Sequence, residues 1–177
     1  MSKSEHLEYA LSKIADVPDF PKPGILFKDI TPVLENPAAF QEVIDQMTAK
    51  AVESGADVIV GIESRGFVFG TPIALQAKLP FAMVRKLGKL PYERITEEYS
   101  LEYGTNTVEM HTDAILPGQR AYIIDDLLAT GGTAAAAQRL VERLGGEVAG
   151  FGFMIDLTFL NGRNALGGKP VHALLEF

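Results

Sequence analysis

The 177-residue sequence contains no cysteine, which removes disulfides, thiolate metal sites and thiol catalysis together. Its three histidines, His6, His111 and His172, match no zinc motif and read as structural or surface residues. No apolar run approaches the length of a membrane span. The polar start, Met1 to His6, is not followed by a signal-type apolar core, so a cytoplasmic protein with no membrane partner is expected. Basic residues are in deficit: 16 Lys and Arg against 23 Asp and Glu leave a formal charge of −7, which argues against nucleic acid held through its phosphates as the main partner. No G-x-G-x-x-G stands between a strand and a helix, and residues 162–169 miss the spacing and the Ser/Thr of a P-loop. Repeats, low-complexity tracts and linkers are also lacking, and the length suits one α/β domain spanning 1–177.

The pattern that remains alternates strands with helices. Leu7, Ala10, Leu11 and Ile14 have the spacing of a short amphipathic helix over 5–14, stopped by the proline-rich stretch 18–24 and followed by an extended piece at 25–28. A second amphipathic helix is predicted over 38–52, with Phe40, Val43, Ile44, Met47 and Ala51 on one side. Predicted strands at 57–62, 81–84, 121–124, 147–156 and 171–175, with helices at 66–79 and 134–144, give parallel βαβ units with helices on both faces. Between Arg85 and Thr112 the pattern breaks; residues 99–102 and 107–111 alternate, suggesting a two-stranded excursion outside the main sheet that serves as a lid or binding loop.

Two turns carry the chemistry. The apolar strand 121–124 leads through Asp125 and Asp126 into Ala129-Thr130-Gly131-Gly132-Thr133 and then an alanine-rich helix. A helix start offers unpartnered N–H groups and the positive end of the dipole to an anion, and adjacent glycines let the backbone approach it. Thr130 and Thr133 add hydroxyl donors, while the preceding carboxylates can accept hydrogen bonds from a ribose diol. This order matches a ribose 5-phosphate lying along the carboxyl end of the strand. Glu63-Ser64-Arg65-Gly66 repeats the strand, turn and helix plan, and two such turns on neighbouring parallel strands face one crevice. Arg85, Lys86 and Lys89 form a local basic cluster for a polyanion in an acidic protein; read alone, a few bases in a loop are a solvated surface.

The segment 122–134 resembles the phosphoribosyl-pyrophosphate (PRPP) signature of type I phosphoribosyltransferases. The stretches 18–32, 61–67, 84–91 and 98–104 narrow the resemblance to the adenine phosphoribosyltransferase family. It implies the family fold, a mostly parallel sheet flanked by helices, with a flexible lid at about 85–112 and a small hood that includes 18–32. It implies purine salvage: adenine and PRPP give AMP and pyrophosphate with Mg²⁺, bound mainly through substrate oxygens and not directly by protein side chains. On the matching positions, Asp125 and Asp126 hold the ribose and Ala129, Thr130, Gly131, Gly132 and Thr133 hold the 5-phosphate. Glu63, Ser64, Arg65, Arg85, Lys86 and Lys89 take the pyrophosphate. Glu102 is the general acid/base toward N7 of the purine, a role that asks for a raised pKa on lid closure; without the family it reads as an exposed carboxylate on a hairpin. Leu26 and Lys28 meet the Watson–Crick edge through their backbone, Phe27 stacks on the ring and Leu157 presses on it. Position 28 is Lys where many relatives carry Arg, a departure without consequence if only its backbone touches the base. A homodimer is implied, and the apolar faces at 40–51 and 7–14 are compatible with one. Alternatives are a transferase for another purine such as xanthine, which the hood segment opposes, and a non-catalytic PRPP-sensing regulator, which the acidic balance, Glu102 and the lack of an extra module oppose.

Overall fold

The computed structural model describes residues 3–100 and 104–177. They fall into two compact units that divide between Gln46 and Met47. The first unit begins with helix α1 (Lys3–Leu11), then pairs strands β1 (Ala15–Pro18) and β2 (Leu26–Asp29) as an antiparallel hairpin, followed by the single-turn α2 (Thr31–Leu34) and the start of α3 (Pro37–Glu53). Helix α1 ends three residues short of the expected Ile14, and the proline-rich stretch closes the β1–β2 hairpin instead of stopping a helix. Within it Gly24 takes φ +87° and donates its N–H to Asp19 Oδ1 at 2.7 Å. Lys28 Nζ pairs with Asp16 Oδ1 across the strands at 2.5 Å, and Phe20 stands edge-on to Phe27 with centroids 5.1 Å apart.

In the second unit the chain runs β3 (Val58–Ile62), α4 (Arg65–Ala77), β4 (Phe81–Lys86), β5 (Arg94–Ser100), β6 (Thr105–His111), β7 (Arg120–Leu128), α5 (Gly132–Arg143), β8 (Glu147–Asp156) and β9 (Val171–Glu176), with two short 3-10 turns at Thr158–Leu160 and Gly162–Leu166. The sheet order is β5-β6-β4-β3-β7-β8-β9. β4, β3, β7, β8 and β9 are mutually parallel, and β6 joins β4 antiparallel through Arg85 opposite Glu109 and Lys86 opposite Val108. The hairpin β5–β6 therefore extends the edge of the main sheet, which corrects the expected excursion outside it. The bonds that attach it follow the basic end of β4, where no apolar alternation marks a strand.

Strand β3 is buried throughout, as befits a strand covered on both faces. Val58, Val60 and Ile62 point into a core built with Ala136, Ala137, Leu140 and Val141 of α5 and Phe151 and Phe153 of β8. Gly61 faces the other way. A Cβ there would sit 2.5 Å from the Phe81 ring and 3.2 Å from the Gly66 carbonyl oxygen, so α4 packs on that face through Gly66 and Gly70 at close range. Helices thus cover both faces, and the carboxyl ends of β3 and β7 lie side by side, with Gly61 in register with Ile124. Among the described residues no helix is long and apolar enough to cross a membrane.

Candidate functional site

Each of the two neighbouring strands runs into a bend and then a helix whose start carries no side-chain cap. α5 begins after Gly131, which takes φ +81°, and α4 begins after Ser64, at a cis Glu63–Ser64 peptide. Uncapped first turns leave N–H groups available to an anion at both bends. Strand β7 continues through Leu128, so Asp125 and Asp126 lie within the strand, with Asp125 opposite Phe153 of β8.

Glu63, Ser64, Arg65, Lys86, Asp125 and Asp126 line a polar cleft of about 260 Å³. Asp125 also lines an adjoining pocket of about 90 Å³ walled by residues 127–134 and Phe153. The two pockets share this carboxylate, and an ion pair ties the 63–66 bend to β7: Arg65 Nε lies 2.6 Å from Oδ2 of the buried Asp126. Burial, and then the neighbouring Asp126 carboxylate, push the Asp125 carboxyl well above the usual range, against the opposing pull of the Asp126 N–H that it accepts at 2.9 Å. At Glu63 burial works against ionisation, but the Lys86 N–H at 2.9 Å and the Arg85 guanidinium, Nε at 3.2 Å, outweigh it and hold the carboxyl below its ordinary value.

The sequence-derived residues are thus gathered unequally. Residues 129–133 wall the smaller pocket, and Ser64, Arg65, Lys86, Asp125 and Asp126 meet in the larger one. Arg85 is engaged by Glu63 and by the Lys89 carbonyl at 3.2 Å, and neither Arg85 nor Lys89 lines the cleft. Leu26, Phe27 and Lys28 lie together on β2 in the first unit; Leu157, in the second, follows β8 and donates its N–H to Leu128 O at 2.9 Å. Glu102 lies outside the described residues. Ser100, two positions before it, does approach the phosphate-type bend: a Cβ on Gly132 would meet the Ser100 carbonyl at 3.4 Å and the Tyr99 ring at 3.3 Å. His111 stacks on Tyr92, and His172 Nδ1 lies 2.9 Å from the hydroxyl of buried Tyr122. Among the described residues no three potential ligands cluster to hold a metal ion.

Two supports of the site escaped sequence reading. Gly162 and Gly131 pack backbone to backbone: a Cβ on Gly162 would collide with the Ala129 carbonyl, and one on Gly131 with the Gly162 carbonyl. Arg163 pins this segment, reaching Oδ2 of buried Asp156 at 2.6 Å and also pairing with Glu176. The second support is buried Glu109, which accepts the N–H groups of Lys89 and Leu90. The Gly-Arg pair at 162–163 was the available signal for the first; no spacing pattern announces the second.

A family model described as phosphoribosyl transferase domain matches residues 30–158. The chain is similar to the adenine phosphoribosyltransferase of Anaeromyxobacter dehalogenans, at 55% identity over 166 residues that cover 94% of this chain and 96% of that one. Among solved structures it is similar to adenine phosphoribosyltransferase from Thermoanaerobacter pseudethanolicus, with TM-score 0.91, 51% identity and coverage of 97% and 99% of the two chains. The Saccharomyces cerevisiae adenine phosphoribosyltransferase, complexed with an imino-altritol bisphosphate and adenine, superposes with TM-score 0.93 at 41% identity, covering 97% of this chain and 99% of that one.

Proposed function

The chain belongs to the adenine phosphoribosyltransferase family of type I phosphoribosyltransferases, and from that premise we propose how its residues divide the reaction among them. It is an enzyme of purine salvage that joins adenine to the ribose 5-phosphate of PRPP, forming AMP and releasing pyrophosphate. One observation carries the assignment of roles: two uncapped helix starts open on pockets that share Asp125 and are bridged by Arg65 and Asp126.

The 5-phosphate is held by Ala129, Thr130, Gly131, Gly132 and Thr133, the ribose diol by Asp125 and Asp126. Pyrophosphate is received by the bend of Glu63, Ser64 and Arg65 and by Lys86, with Arg85 and Lys89 acting behind it. As the glycosidic bond to pyrophosphate breaks, negative charge grows on the leaving group, and cations already fixed beside it lower the barrier without reorganising. The cleft would suit a Mg²⁺ that arrives with its ligands on the substrate, since Glu63 and Asp126 are engaged by arginines; such an ion would add charge neutralisation at the polyphosphate. Glu102 moves the proton at N7 of the purine, and the segment 85–112 carries the lid, a role supported by the approach of Tyr99 and Ser100 to Gly132.

For the base we propose stacking by Phe27, backbone hydrogen bonds from Leu26 and Lys28 in the hood 18–32, and apolar contact from Leu157. The engagement of the Lys28 ammonium by Asp16 supports a backbone role at that position. We also propose a cytoplasmic homodimer; Val68 and Leu75, seven residues apart on one face of α4, and Met83 of β4 expose apolar side chains that such an interface would cover. The reading is tested by supplying the protein with Mg²⁺ and PRPP and, separately, adenine, hypoxanthine, guanine and xanthine, and following nucleotide formation. Adenine alone should be converted efficiently; equal conversion of hypoxanthine refutes the base assignment.

A further inference from the structure

Among the described residues three acids are buried, Glu109, Asp126 and Asp156, and each stands against an arginine, Arg94, Arg65 and Arg163. Two of these pairs border the phosphate bends directly or through Gly162. Glu109 lies on β6, on a strand that supplies no ligand to the proposed site, yet it is fully buried. An ionised carboxylate in such a place is expensive unless several donors face it.

The N–H donors belong to one turn, and an arginine at the start of β5 joins them. Oε1 accepts the N–H of Lys89 at 2.7 Å and of Leu90 at 2.6 Å, while Arg94 Nε makes an ion-pair contact with Oε2 at 3.0 Å. Burial alone opposes ionisation of Glu109, but the N–H groups of Leu90, Gly88 and Lys89, together with Arg94, more than offset it. Following the contacts outward, the Lys89 carbonyl accepts Arg85 Nη1 at 3.2 Å, Arg85 grips Glu63, and Glu63 opens the bend that continues into Ser64 and Arg65. Glu63 also accepts the N–H of Lys86, whose residue lines the cleft. The turn after β4 is thus tied at one end to the bend by Glu63 and at the other to the sheet edge by Glu109.

We propose that Glu109 is a positioning residue for the pyrophosphate half of the site: by gathering the N–H groups of Lys89 and Leu90 it fixes the turn that orients Arg85, Glu63 and Lys86. This role rests on the assignment of pyrophosphate to the 63–66 bend. It acts on one ligand and not the other, because AMP carries no pyrophosphate and the 129–133 bend is supported from elsewhere.

The test compares binding of pyrophosphate with Mg²⁺ and binding of AMP by the full chain, using calorimetry. Glu109→Gln keeps the side-chain shape but replaces a carboxylate whose Oε1 accepts two N–H groups, and whose Oε2 makes only the Arg94 ion-pair contact, with a neutral amide. We expect pyrophosphate affinity to fall on the order of tenfold, with a matching rise in the KM for PRPP, while AMP affinity stays within about twofold. Unchanged pyrophosphate affinity, or an equal loss for both ligands, overturns the proposal. Should Glu109→Gln not fold, Arg94→Gln at the partly exposed end of the pair is read in the same way, with the same loss expected for pyrophosphate alone and the same two results overturning it. Lys86→Ala separates the two layers of the argument. If it leaves pyrophosphate affinity unchanged, the assignment of the bend fails; if it weakens pyrophosphate and Glu109→Gln does not, only the positioning role fails.

Discussion

Gly162→Ala puts the support of the 5-phosphate bend to a direct test. The added methyl would overlap the Ala129 carbonyl oxygen and come within 3.0 Å of Leu128 Cγ and 3.1 Å of the Ala129 carbonyl carbon, where ordinary contacts begin near 3.4 Å. Two of the three obstacles are backbone atoms, so the contact cannot be relieved by turning a side chain. One of the two segments must retreat by on the order of 1 Å. The 162 segment is pinned: Arg163 is bound to Asp156 and Glu176, and Thr158 donates both its N–H, at 2.9 Å, and its hydroxyl, at 2.6 Å, to the Phe177 carbonyl. The 129–133 bend is therefore the part that yields. A misplacement of about 1 Å in a binding loop weakens its function by roughly 10- to 100-fold, so the KM for PRPP and the Kd for AMP should rise by that factor, while pyrophosphate affinity stays within about twofold. Overpacking of about 1–3 kcal/mol should also lower Tm by several degrees. Steady-state kinetics with adenine saturating, calorimetry with AMP and with pyrophosphate, and a thermal melt decide the matter. A Gly162→Ala protein with wild-type KM for PRPP and wild-type AMP affinity refutes the buttress.

Further outcomes are expected elsewhere in the chain. Glu97 on β5 is held by Arg139 and Arg143 of α5, at 2.6 and 2.9 Å; burial opposes its ionisation, but the two guanidiniums outweigh it and lower its pKa. A depressed carboxyl contributes stability that is full above the unfolded value of 4.5 and is lost as pH falls through the folded value. Glu97→Gln should therefore lower Tm at pH 7, and by progressively less as the pH is taken down below 4.5, as followed by circular dichroism; a drop that stays the same all the way down that acid series would show that the two guanidiniums do not stabilise the charged carboxylate. Phe27→Ala should raise the KM for adenine roughly tenfold through lost stacking, with the KM for PRPP unchanged. Glu102→Gln should lower kcat strongly while PRPP binding survives, and an intact kcat in steady-state assays would end its role as the acid/base.

How much of this was legible in the sequence varies with the range of the interactions. β3, β7 and their bends were readable because a buried parallel strand is a continuous apolar run and a glycine turn at a helix start is local chemistry. The strand ending of β7 was misplaced by several residues, since Asp125 to Leu128 look like a loop yet pair with Phe153, Ile155 and Asp156 of β8. β1 was invisible: Ala15-Asp-Val-Pro18 is too short to show alternation and gains its pairing from β2. The apolar face of α3 was compatible with an interface in sequence, but Val43, Ile44, Met47 and Ala51 are consumed inside the chain. Glu109, and the link from Asp156 through Arg163 to Gly162, could not be read because their partners lie in other elements, where spacing carries no signal. Glu102 and the base contacts came from family resemblance, not from any property of their own segments.

The arrangement of acids also bears on how a chain of formal charge −7 can receive a polyphosphate substrate. Uncompensated, Glu63, Asp125 and Asp126 would repel a polyphosphate in a cleft of about 260 Å³, and at the low effective dielectric of such a cleft the repulsion would exceed what Lys86 alone could offset. None of the three stands uncompensated. Glu63 is tied to Arg85 and Asp126 to Arg65, while burial and the neighbouring Asp126 carboxylate push the Asp125 carboxyl above its usual range. On the proposed assignment, the carboxylates accept hydrogen bonds from ribose hydroxyls while their ion pairs offset their charge, and the uncapped N–H groups of the two helix starts together with Lys86 favour the anionic ligand. If this balance is right, Arg65→Gln, which frees Asp126 without adding bulk, should raise the KM for PRPP more than removal of one direct phosphate ligand does, because it subtracts a cation and exposes an anion together. A KM shift no larger than that of Thr133→Ala, measured side by side at one salt concentration, would show that compensation of the acids is not what admits the substrate.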